Sequence, residues 1–209
     1  MIKVLLVDDH TIVRKGIRQL LEDTSDIKVA GEAKNAEEMF MLIKNDAFDM
    51  VILDISLPGR SGIDALKQLK KVNPNLPVLI LSMHPENQYA LRVMKSGAAG
   101  YLTKESAPEE MINAVRKIHK GKKYISANLA EELANFLNGN TIQLPHQKLT
   151  DREYEVLMRI AEGKSLTAIA NNLSLSVKTI STYRSRILKK LNKENNSELV
   201  KYVMEYNLS

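Results

Sequence analysis

The chain has no cysteine and no tryptophan among its 209 residues, and aromatic residues make up only 5%. Without cysteine there is neither a disulfide nor a thiolate-ligated metal centre. Long apolar runs are missing too: no stretch approaches the ~20 residues that a membrane-spanning helix needs. The opening run Ile2–Val7 meets acid at Asp8 too soon for the apolar core of a signal peptide. These absences exclude a disulfide scaffold and a membrane protein, and the expected location is the cytoplasm. What is present is an ordinary globular composition, 44% hydrophobic and 26% charged.

Net charge is +5, and its placement says more than its size. Acids and bases nearly balance over residues 1–120. Between Ser174 and Lys193, by contrast, Lys178, Arg184, Arg186, Lys189, Lys190 and Lys193 occur without one acid. Such a stripe suits an anionic partner. A solvated helix face is the plainer alternative.

Residues 1–120 alternate between short apolar runs and amphipathic stretches. The runs Ile2–Val7, Ile27–Gly31, Met50–Leu53, Pro77–Ser82 and Ala98–Leu102 read as strands. Helical spacing fills the gaps over Ile12–Leu21, Ala36–Ile43, Gly62–Val72, Glu86–Ser96 and Pro108–His119. Five β–α alternations imply a five-stranded parallel sheet, doubly wound, with helices on both faces.

In such a sheet the carboxyl ends of the strands converge on one edge. Asp8 and Asp9 close the first strand, Asp54 the third and Ser82 the fourth, and Lys104 follows the fifth. Asp54 alone, before Pro58-Gly59, is most simply a turn cap. With the others it is more. Clustered carboxylates repel unless a cation joins them, and an oxygen donor set suits Mg²⁺. A nearby lysine and hydroxyl would complement an added oxyanion. The set fits phosphoryl transfer to an aspartate.

Residues 1–120 resemble the receiver domain of bacterial two-component response regulators. The resemblance is carried by Val7-Asp8-Asp9-His10, Leu53-Asp54 through Pro58-Gly59, Leu81-Ser82, Gly100-Tyr101-Leu102 and Lys104. It implies a flavodoxin-like fold with Asp54 as phospho-acceptor. Asp8, Asp9, Asp54 and the backbone carbonyl of Ser56 would bind Mg²⁺. Ser82, Tyr101 and Lys104 would respond to the phosphoryl group, with Tyr101 turning inward or outward. Two departures stand out. Glu105 follows Lys104 where receivers often carry a cis proline, so a trans or strained link is expected. Ser82 stands where threonine is commoner.

Residues 120–147 read as a connector: a short helix Ala127–Leu137 capped by Ser126, a break at Asn138-Gly139-Asn140, and a loose polar tract over residues 141–147. Thr150 with Glu153 forms a capping box and opens an all-α segment, residues 148–209. Helices follow at Ser165 and Ser176, and a fourth is capped by Ser197 or Asn196. Two helices joined by a tight turn, the second basic, make a helix-turn-helix. On the helix Val177–Leu191, the residues Val177, Ile180, Ile187 and Leu191 should face inward. Lys178, Ser181, Thr182, Ser185 and Lys189 should face out.

This segment resembles the LuxR-type DNA-binding domain of the NarL/FixJ family. The carriers are Leu149–Glu153, Ile160–Lys164, Ile169-Ala170, Ser176–Ile180 and Lys189–Leu191. The resemblance implies that Ser181, Thr182 and Ser185 face bases. Lys178, Thr179, Arg184, Arg186 and Lys189 would meet phosphates, with a pairing of Arg184 to Glu153 as its alternative. Tyr183 replaces the family's common histidine. The expectation is a transcription factor, not an enzyme, phosphorylated by a sensor histidine kinase and binding DNA as a homodimer. The rival is a small phosphotransferase or phosphatase, and the DNA-binding character of the second segment argues against it.

Overall fold

The computed structural model describes residues 1–127, 129–131, 134, 144–206 and 208, the side chains of residues 87 and 88 excepted. The chain divides into two compact units, Met1–Leu133 and Ala134–Ser209.

The first unit alternates as expected: β1 Ile2–Val7, α1 Thr11–Glu22, β2 Ile27–Ala33, α2 Ala36–Asn45, β3 Met50–Asp54, α3 Gly62–Val72, β4 Val78–Ser82, α4 Glu86–Lys95, β5 Gly100–Thr103 and α5 Pro108–His119. All strand pairs are parallel, in the order β2-β1-β3-β4-β5. Every residue of β3 and β4 is buried, as central strands covered on both faces must be. One core layer joins Leu6, Ile52 and Leu81 to Leu21 of α1 and to Val115 and Ile118 of α5. The winding reverses between β1 and β3, so their carboxyl ends open at the switch point where such sheets take ligands.

Several boundaries shift by a residue or two from expectation, those of β2 and β5 among them. β2 runs on to Ala33, with a register shift opposite Val4 and Leu5. β5 starts at Gly100, because Ala98 still closes α4: Gly97 takes a φ of +97°, and the Ala98 N–H donates to the Val93 carbonyl at 3.0 Å.

In the second unit a 3₁₀ turn, Pro145–Lys148, precedes α6 Asp151–Ala161, α7 Leu166–Asn172, α8 Val177–Leu191 and α9 Asn196–Glu205. The turn corrects the expectation of loose chain to residue 147. Its reason is His146, which is buried with Nδ1 3.0 Å from the Tyr202 hydroxyl. The cap of α9 is Asn195, whose Oδ1 accepts from the Glu198 N–H at 3.0 Å, and not Ser197 or Asn196. Of the connector helix, Ala127, residues 129–131 and Ala134 are helical, and Ser126 caps it by accepting from the Leu129 N–H. Its apolar positions Leu133, Phe136 and Leu137 and the break at Asn138–Asn140 lie outside the described residues. No helix among the described residues is long and apolar enough to cross a membrane.

Candidate functional site

The sheet delivers its strand ends to one place. Lys104, just past β5, is drawn in by its backbone N–H, which donates to the Ser82 carbonyl at 2.7 Å. Its Nζ donates to Asp54 Oδ2 at 2.7 Å and stands 2.6 Å from Asp8 Oδ2. Asp54 Oδ1 accepts from the Ser56 N–H at 3.1 Å. Ser56 therefore touches the site through its amide, a contact separate from the metal role expected of its carbonyl. Asp8 Oδ1 accepts from the His10 N–H at 2.8 Å, while the buried Asp8 Oδ2 is held by the Lys104 ammonium. The Lys104–Glu105 bond is trans, as expected without proline.

Burial pushes the Asp54 carboxyl above its ordinary value. Lys104 opposes that rise and Asp8 adds to it. Burial also pulls the Lys104 ammonium down, but the charges and hydrogen bonds of Asp54 and Asp8 leave it raised. A buried cation between two buried carboxylates is held in its charged form by them.

Ligand atoms of Asp8, Asp9, His10 and Asp54 lie within 4.8 Å of one another. Three carboxylates gather against one ammonium, and two of them, Asp8 and Asp54, are buried. Both facts, with an oxygen-dominated donor set, fit a hard divalent cation such as Mg²⁺. His10 and Arg14 join the site without having been singled out in the sequence. His10 Nδ1 is 2.9 Å from Asp9 Oδ1, and Arg14 donates to the Asp8 carbonyl at 2.6 Å. The run Asp8-Asp9-His10 was the signal for His10. Gly62 was also missed. A Cβ there would sit 2.0 Å from the Asp54 carbonyl oxygen, so α3 starts hard against the acceptor strand only because residue 62 is glycine.

Ser82 and Tyr101 are both buried. The Ser82 hydroxyl accepts from the His84 N–H at 3.0 Å, and the Tyr101 hydroxyl donates to the His84 carbonyl at 2.7 Å. The two groups expected to respond to phosphorylation thus meet on the backbone of one residue, in the loop before α4. Tyr101 points inward.

In the second unit, α7 and α8 are joined through Leu173–Ser176, with Ser174 left-handed (φ 53°) and Ser176 capping α8 by accepting from the Thr179 N–H. Ile180, Ile187 and Leu191 face the core. Val177, expected to join them, is 44% exposed, standing at the first position of α8 where only part of a turn surrounds it. Lys178, Ser181, Thr182, Ser185, Arg186 and Lys189 are exposed, and Thr179 is half-buried. Thr182 and Ser185 donate back to the carbonyls of Lys178 and Ser181 at 3.0 Å, which leaves their oxygens free to accept. Arg184 is half-buried and donates to Asn196 Oδ1 at 2.6 Å, tying α8 to α9. The partner of Glu153 is Lys190, at 2.6 Å, and not Arg184. Lys190 thereby leaves the free basic stripe. Burial pushes the Glu153 carboxyl up, but Lys190 and the Thr150 hydrogen bonds hold it below its ordinary value.

Residues 4–116 match the family model of the response regulator receiver domain, and residues 147–203 match that of bacterial regulatory proteins of the luxR family. The chain is 37% identical to the response regulator UvrY of Escherichia coli K12 over 209 residues, covering 100% of this chain and 96% of that protein. Among solved structures it is similar to RcsB of Salmonella enterica serovar Typhimurium bound to the promoter P1flhDC with the phosphomimetic BeF₃⁻. That match has 29% identity and a TM-score of 0.68, and covers 97% of this chain and 98% of the other. A structure of two RcsB dimers on two parallel DNAs matches at 30% identity and a TM-score of 0.60, with 97% and 98% covered.

Proposed function

The chain belongs to the two-component response regulators that join a receiver domain to a LuxR-type DNA-binding domain, and on that premise we propose that Asp54 is its phosphoryl acceptor. It is a DNA-binding transcription regulator of a two-component system. The observation that carries the acceptor reading is the buried cluster of Asp54, Asp8 and Lys104, closed at 2.6–2.7 Å.

A carboxylate oxygen of Asp54 attacks the phosphorus of a phosphohistidine on a sensor kinase. The P–N bond breaks, its electron pair stays with the imidazole, and an acyl phosphate forms. Lys104 lies on Asp54 Oδ2 and would pair with the phosphoryl oxygens that arrive there. Asp8, Asp9, Asp54 and the Ser56 carbonyl would hold Mg²⁺, which when bound neutralises phosphoryl charge during transfer. Ser82 and Tyr101 would relay the change through His84. The chain is read as a switch rather than an enzyme, acting where DNA is, in the cytoplasm.

Phosphorylation would favour a homodimer that sets α8 of each subunit in a major groove. The RcsB dimers seen on DNA support that arrangement. Ser181, Thr182 and Ser185 would approach bases. Lys178, Thr179, Arg186 and Lys189 would hold phosphates, together with the guanidinium N–H groups of Arg184 not engaged by Asn196. The working boundaries are residues 1–119 for the receiver, 120–147 for the connector and 148–209 for the DNA-binding domain. Asp54→Asn tests the core of the reading. Acetyl phosphate with Mg²⁺ should label the wild type and raise its DNA affinity, and should do neither to the variant. Equal labelling of the two moves the acceptor elsewhere.

A further inference from the structure

Just beyond α5 the chain returns to the sheet. Tyr124 makes a parallel bridge to Gly100, and its N–H donates to the Ala99 carbonyl at 2.9 Å. This close approach needs glycine: a Cβ on Gly100 would lie 2.8 Å from the Tyr124 carbonyl oxygen. Lys117 covers the outer side, with Nζ 5.4 Å from the Tyr124 ring centroid. Two residues on, the Ser126 hydroxyl donates to Glu86 Oε1 at 2.6 Å and accepts from the Leu129 N–H at 3.1 Å. One hydroxyl therefore ties the start of the connector helix to the first residue of α4.

That first residue sits two positions after His84, where Ser82 and Tyr101 converge. Between residues 124–126 and the sheet lies a cavity of about 240 Å³, lined by Tyr101, Thr103, Glu110 and Tyr124 among others. A continuous bonded path thus runs from the strand-end cluster through Ser82, His84 and Glu86 to Ser126 and the connector.

We infer that residues 124–126 are a strap, seated on the β5 edge by Gly100 and latched by the Ser126–Glu86 hydrogen bond, through which rearrangement of the β4–α4 loop reaches the connector. Movement of His84 carries Glu86, and Glu86 carries the cap of the connector helix. Ser126 and Glu86 are positioning residues: neither touches the acceptor site. The inference rests on the acceptor reading of Asp54.

The test uses the full chain as wild type, Ser126→Ala and Glu86→Ala, with and without acetyl phosphate and Mg²⁺. Label incorporation, amide exchange at residues 129–131 and DNA affinity are read together. All three proteins should take label equally. Without donor, both variants should exchange at residues 129–131 about fivefold faster than wild type, the scale of one lost exposed hydrogen bond of ordinary strength. Donor should change that exchange in wild type only, and the donor-dependent gain in DNA affinity should shrink by a similar factor in both variants. Full gain in both variants overturns the strap. Loss in Ser126→Ala alone also overturns it, since that variant removes the cap as well as the latch. A wild type that takes no label overturns the acceptor reading and the coupling with it. A labelled wild type with unchanged exchange at residues 129–131 overturns the coupling alone.

Discussion

Gly62 shows how a residue without chemistry can fix a chemical site. Its N–H donates to the Ile55 carbonyl at 2.8 Å, closing the turn after Asp54. An added Cβ would meet backbone on every near side: the Asp54 oxygen at 2.0 Å, Ile55 Cα at 2.8 Å and the Asp54 carbonyl carbon at 2.9 Å. Flexible side chains can yield to such a methyl, whereas a buried strand end cannot. Gly62→Ala should therefore lower receiver stability by about 3 kcal/mol, the upper range for overpacking a filled site. Urea unfolding measures this, and a loss well under ~1 kcal/mol means that the turn has slack. Asp8, Asp54, Ser82 and Lys104 were legible in the sequence because they sit where an apolar run stops, which marks a strand end without any knowledge of contacts. Gly62 and His84 were not. Their roles depend on which distant backbone comes close, and the local pattern does not contain that distance.

Between elements, the tie with the clearest test is Glu153 of α6 to Lys190 of α8. Glu153 has two tasks: its Oε2 accepts from the Thr150 N–H at 2.8 Å and pairs with Lys190 at 2.6 Å. Glutamine keeps the first and loses the charge of the second, since either residue completes a capping box. Glu153→Gln should thus cost about 1 kcal/mol at neutral pH, because Lys190 is 36% exposed and water screens the pair. The sign with pH follows from the lowered Glu153 carboxyl. A depressed carboxylate contributes stability above its unfolded value and loses it as pH falls through the folded one. The gap between wild type and variant should therefore close on acidification below the ordinary carboxylate range, as amide exchange in α6 and α8 would record. A gap that is constant with pH assigns the loss to packing. Helix existence and the Thr150 box were plain from spacing. The cap of α9 was legible in principle, since Asn195 stands three residues before Glu198 while Asn196 and Ser197 do not. The Val177 misplacement has another origin: periodicity forecasts burial in mid-helix, whereas Val177 is the first residue of α8.

At the scale of the whole molecule, the even charge of the receiver and the basic stripe of α8 divide the labour, and salt dependence is where that division can be measured. Lys178 and Lys189 are exposed and lie on the outward side of α8, one near each end. Each phosphate neutralised on duplex DNA contributes about −0.9 to the slope of log affinity against log salt. A monomer would lose about one such contact per substitution. A homodimer carries each lysine twice, so Lys178→Ala and Lys189→Ala should each flatten the slope by roughly 2 per bound dimer. Affinity should fall for all sequences alike, because a phosphate contact carries no base information. Ser181→Ala provides the contrast: it should leave the slope unchanged and alter the ranking of sites. A flattening near 1 for either lysine, measured by titration over 50–200 mM salt, indicates a monomer on each site. No flattening removes α8 from the phosphate contacts and sends the search for the DNA surface to another helix.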